Sequence, residues 1–110
     1  MLISWSNEVT FPELAGYVGG VGQPLIEGTQ TGRFVSVSGQ VVMDSATNAA
    51  PRIDRKALML HELGHLVGLA HTSDRSQLMF SEGNVQVNDY GDGDLRGLAV
   101  LGTQPCAPEI

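Results

Sequence analysis

The sequence predicts an α+β domain, and three observations point there. A strongly apolar helical stretch runs from Arg55 to Val67, short β-branched runs precede it, and glycine-rich irregular chain surrounds both. The expected architecture is a small mixed sheet, a buried helix, and an irregular C-terminal part that ends in a second, shorter helix.

Element by element, Leu2 to Trp5 is an apolar run that reads as a strand, and Phe11 to Tyr17 as one helical turn. From Gly19 to Gly32 the chain holds Gly19, Gly20, Gly22, Pro24, Gly28 and Gly32, which predicts a loop. Arg33 to Val37 and Gln40 to Met43 read as two strands of a hairpin turning at Ser38-Gly39. Ser45 to Pro51 is a polar connection. Asp54 is placed to cap the helix Arg55–Val67, whose residues are apolar almost all round and so predict burial, and Gly68 is placed to end it. Asn88 to Asp94 reads as a loop, followed by a helix from Leu95 to Leu101 capped by Asp94 and stopped by Gly102. No repeat or linker divides the chain. Residues 1–110 are therefore expected to form one domain, with the sheet and main helix in 1–70 and the shorter helix in 71–110.

Six Lys and Arg against twelve Asp and Glu give a net charge of −6. That sign excludes a domain that grips nucleic acid or an anionic membrane through phosphates. No apolar run approaches the ~20 residues of a membrane span. Glycine, at 14 of 110 residues, is about double its usual ~7% and predicts long irregular loops. The single cysteine, Cys106, cannot close an internal disulfide and rules out a cysteine-based zinc knuckle. It reads as a free thiol or as half of a disulfide whose partner is missing. Met1 to Glu8 lacks the basic and long apolar regions of a signal peptide.

The segment that carries chemistry is His61-Glu62-Leu63-Gly64-His65-Leu66-Val67-Gly68-Leu69-Ala70-His71. Residues four apart on an α-helix share a face, so His61 and His65 can bind one metal ion. Glu62 stands beside them and can reach a metal-activated water without taking a coordination position. Gly68 allows a sharp turn that returns His71 as a third imidazole. Three nitrogen donors with a fourth position open to water describe a catalytic zinc site rather than a structural one. Roughly one chain of this length in a few hundred holds H-E-x-x-H by chance, and about one in 10⁵ the full pattern. The three histidines of the pattern are also the only three in the chain.

This segment resembles the extended zinc signature of the metzincins, H-E-x-x-H-x-x-G-x-x-H followed by a Met-turn. Met79, eight residues past His71, falls where that family's structural Met-turn methionine lies. Thr72 directly after the third histidine, with Asp74 and Leu78-Met79 beyond it, is most similar to the matrixin branch. Gly39 to Asp44 resembles the matrixin strand before the active-site helix, and Gly93 to Leu98 the start of its C-terminal helix. On that mapping Arg33 to Val37 corresponds to the edge strand that pairs with extended substrate. Phe80-Ser81-Glu82-Gly83 departs from the Pro and Tyr that usually follow the Met-turn and shape the specificity pocket. The resemblance further implies two strands and a long helix ahead of Leu2–Trp5, and it predicts that this strand is left with an unpaired edge.

The resemblance implies a secreted, zinc-dependent metalloendopeptidase acting on peptide or protein substrates. His61, His65 and His71 would hold Zn²⁺, and Glu62 would act as general base. Two rivals stand beside it: another zinc amide hydrolase acting on small or cell-wall peptides, and a catalytically incompetent zinc-binding fragment. Asp89, Asp92 and Asp94 alternate with glycine in a way that hints at Ca²⁺, with Asp44 as a further ligand by analogy. Without EF-hand spacing they read better as helix-capping and loop residues. Trp5, Phe34 and Phe80 read as core.

Overall fold

The computed structural model describes residues 1–16, 18–49, 53–82, 86–103 and 105. Cys106, Tyr17 and Gly83, together with the end of the expected connection at Ala50 and Pro51, lie outside the described residues. Three strands, β1 (Leu2–Ser6), β2 (Gly20–Gly28) and β3 (Phe34–Asp44), form one mixed sheet in the order β1-β3-β2. A 3₁₀ turn at Pro12–Leu14 lies between β1 and β2. Helices α1 (Ser45–Ala49), α2 (Arg55–Val67) and α3 (Asp92–Gly102) follow β3.

β1 runs parallel to β3, with Leu2 opposite Gln40 and Ser6 opposite Asp44. β2 runs antiparallel to β3, with Gly20 opposite Met43 and Gly28 opposite Phe34, and carries an irregularity between Leu25 and Ile26. The stretch expected as a loop is thus a nine-residue edge strand. Gly20 and Gly22 are there because helix and sheet meet closely at this end of the strand. A Cβ on Gly22 would lie 2.2 Å from the carbonyl oxygen of Glu62.

The expected hairpin at Ser38-Gly39 is likewise corrected, because those residues sit inside one unbroken strand. The hairpin exists one turn earlier. Thr29 and Arg33 close it, Thr29 N–H donating to Arg33 C=O at 2.8 Å, and Gly32 provides the positive φ of 82°. Gly39 is a contact residue rather than a turn residue: a Cβ there would stand 2.2 Å from Leu66 Cδ1 of α2.

α2 forms over the expected residues with the expected caps. The Asp54 carboxylate accepts from Ala57 N–H at 2.9 Å, and Gly68 takes φ 115° at the C-terminus. Its all-round burial is not observed; only Glu62 and Gly64 are fully buried. The reason is that the helix packs on β2 and β3 with one face and leaves the other to the loops. Ser45–Ala49 forms a short helix where a polar connection was expected. The Asp44 carboxylate starts it by accepting from both N–H and O–H of Thr47, and those two donors hold its pKa below the ordinary aspartate value.

α3 begins at Asp92 after an N-cap at Gly91, so Asp94 is its third residue rather than its cap. The core comprises Leu14, Val41, Val42, Met43, Leu78, Met79 and Phe80. Trp5 and Phe34, expected in the core, are 55% and 83% exposed. Helix α2 does not extend over β1, and Phe34 stands at the far turn end of the hairpin. No helix among the described residues is long and apolar enough to cross a membrane.

Candidate metal centre

Helical spacing on α2 places His61 and His65 one turn apart, and the chain must then reverse to bring back His71. Gly68 N–H donates to His65 C=O at 3.1 Å and Leu69 N–H to Gly64 C=O at 2.9 Å, which is a Schellman turn. The turn also fixes the carbonyl of Leu69, which accepts the His65 Nδ1 proton at 2.9 Å. His61 Nδ1 donates in the same way to Leu78 C=O at 2.8 Å. With both Nδ1 atoms protonated and engaged, the Nε2 atoms of His61 and His65 carry lone pairs.

Those lone pairs converge. Each of the two Nε2 atoms lies 3.1 Å from Nε2 of His71, and the three candidate ligand atoms all fall within 4.8 Å of one another. A single proton on His71 Nε2 can serve only one of its two neighbours, so the trio is not satisfied by hydrogen bonding alone. A tetrahedral zinc ion with ~2.0 Å bonds sets its ligand atoms about 3.3 Å apart. The donor set and spacing therefore fit Zn²⁺. It is the only such cluster of metal-binding side chains among the described residues.

Burial falls from His61 through His65 to His71. It lowers the pKa of His61 and of His71, and the neighbouring imidazoles add to that, so both rings favour the neutral, ligating form. Glu62 sits next to them, 6% exposed. Burial raises its pKa, opposed by the neighbouring imidazoles of His65 and His71.

Met79 packs against α2 at Gly64, 2% exposed, its sulfur filling the space left by that glycine; a Cβ there would stand 2.6 Å from Sδ. The segment from Thr72 to Phe80 is closed by Thr72 N–H donating to Met79 C=O at 3.0 Å. Asp94 was legible only as a helix cap, and the structure gives it a larger part. Its buried carboxylate accepts from Leu78 N–H at 2.7 Å, Gly91 N–H at 2.9 Å and Met79 N–H at 3.3 Å. Gln77 completes the junction, its Oε1 accepting from Gly93 and Asp94 N–H at the start of α3. Asp89 instead pairs with Lys56 at 3.8 Å on the surface.

The three imidazoles and Glu62 open into a cavity of about 560 Å³, whose walls include Gly20, Gly22, Leu58 and Leu78. The strand along this cavity is β2. Residues 33–37, expected to form the substrate edge, do not line it: Phe34 to Val37 belong to β3, and the hairpin places them toward its far turn.

An α+β domain with a three-histidine metal centre beside a buried carboxylate is the arrangement of a metal-dependent hydrolase. The family model described as Matrixin matches residues 22–99, and the chain belongs to that family of zinc metallopeptidases. Neither the curated proteins nor the solved structures contain a significant match to it.

Proposed function

We propose that this protein is a zinc-dependent metalloendopeptidase with Glu62 as its general base. The observation that carries this reading is the convergence of three imidazole nitrogens beside one buried carboxylate in an open cleft. His61, His65 and His71 would hold the ion, oriented by Leu78 and Leu69 carbonyls in the manner of outer partners at metal sites. Zinc supplies a Lewis acid that polarises a carbonyl and acidifies water.

Glu62 takes the proton from the attacking water and delivers it to the departing amide nitrogen. β2 offers the substrate a platform. Gly19 C=O accepts from Asp44 N–H, which turns residues 19, 21 and 23 toward β3 and residues 20 and 22 toward the cleft. An extended peptide can lie along that outward edge as an added strand.

Glu62→Gln is the test. The variant should keep stoichiometric zinc, measured by elemental analysis, and lose about 10²- to 10⁴-fold in peptide cleavage. Undiminished cleavage of casein or gelatin by that variant would remove Glu62 from the mechanism.

A further inference from the structure

His61 is held both through its imidazole and through its backbone, and the two holds lead to the same short stretch of chain. The Tyr90 hydroxyl donates to the carbonyl of Leu60 at 2.6 Å, thirty residues away and inside α2. That carbonyl belongs to the planar peptide unit that ends on the His61 Cα, so fixing its direction fixes where His61 leaves the helix. The imidazole is held from the other side, its Nδ1 donating to Leu78 C=O at 2.8 Å. Leu78 N–H donates in turn to Asp94 Oδ2 at 2.7 Å, and the same oxygen accepts from Gly91 N–H at 2.9 Å. Gly91 directly follows Tyr90. The bonds therefore close a circuit, from Leu60 and His61 through Leu78, Asp94 and Gly91 to Tyr90 and back to Leu60.

We propose that Tyr90 is a positioning residue for the metal ligand His61, its hydroxyl closing the circuit that holds this imidazole where the three nitrogens converge. This inference rests on the reading of the three histidines as zinc ligands and makes no use of cleavage. A circuit closed at every contact leaves the imidazole one arrangement, whereas a chain of contacts open at one end lets that end swing. Outer partners raise metal affinity by holding a ligand ready in this way. His65 lies outside the circuit, because its Nδ1 partner, Leu69 C=O, sits in the turn that ends α2. The pair of Lys56 and Asp89 ties the same loop to the same helix at 3.8 Å, but it is about two-thirds exposed on both sides and also lies outside the circuit.

Tyr90→Phe removes the hydroxyl and keeps the aromatic ring, so it opens the circuit at one bond. Zinc affinity, measured by competition with a chromophoric chelator, should fall about tenfold, the low end for outer partners of a ligating histidine. In the zinc-loaded protein, the His61 Nδ1 proton followed by NMR should exchange with solvent about fivefold faster or more. The His65 Nδ1 proton should keep its wild-type rate, whereas a general loosening of the fold would move both protons together. Lys56→Ala frees the loop outside the circuit and should leave both readouts unchanged.

Unchanged zinc affinity in Tyr90→Phe overturns the inference, as does equal acceleration of the two imidazole protons. Losses of the same size in Lys56→Ala overturn it too. A wild type that binds zinc and cleaves nothing, yet shows these effects of Tyr90→Phe, removes the peptidase reading and leaves the role of Tyr90 standing. A wild type that takes up no zinc overturns the metal centre and this inference with it.

Discussion

At the scale of single residues, the candidate metal centre is supported by side chains outside the histidine triad. Asp94 is the plainest case. A carboxylate 4% exposed survives burial only because amide donors surround it, and here Leu78, Met79 and Gly91 provide them. Leu78 links this residue to the site, since its N–H is held by Asp94 and its C=O orients His61. Asp94→Ala leaves three N–H groups without their acceptor and should cost about 3 kcal/mol, read from urea unfolding of the metal-free protein. Zinc affinity should fall about 10- to 100-fold through the loosened His61 ring, measured by competition with a chromophoric chelator. A variant equally stable and equally tight for zinc would show that the carboxylate does neither job. The sequence contains Asp94 in plain sight but marks it only as a capping residue. Two of its three partners lie 15 and 16 positions away, and no local pattern encodes those two.

Among the elements, α2 was legible in its bounds and caps though not in its burial, and the sheet only in part. The helix announces itself through apolar spacing, an aspartate at one end and a glycine at the other, and all of these are local signals. The three histidines and Glu62 were legible for the same reason, being fixed by helical spacing and one turn. β2 was hidden because its glycines mimic a loop, when in fact Gly20 and Gly22 answer to the close approach of α2. The Ser38-Gly39 pair misled in the same way and split β3 in two. Both errors share one cause: a glycine required by a neighbour looks like a glycine required by a turn. Gly39→Ala tests that explanation. A methyl group there collides with Leu66 and with the Gln23 carbonyl at 2.8 Å, and should destabilise the protein by about 1–3 kcal/mol in thermal or urea unfolding. A neutral outcome would mean that helix and sheet are not in close contact at that point.

For the molecule as a whole, the sheet has an open strand on each side, and the two differ in character. β1 pairs on one side only among the described residues, as the sequence led us to expect. Leu2, Ile3 and Trp5 on it are 59%, 44% and 55% exposed. Such an edge invites pairing, and no proline or charge within it blocks the approach. Replacing Ile3 by Lys should raise the monomer fraction in sedimentation at high concentration without changing zinc content. An unchanged distribution would show that β1 is not the sticky surface. β2 is open as well, but Pro24 on its outward side has no N–H to offer, which removes one rung from any ladder built there. A short guest that needs only the stretch beside the cleft, at Gly20 and Gly22, never reaches that gap, whereas a twin laid along the whole edge must cross it.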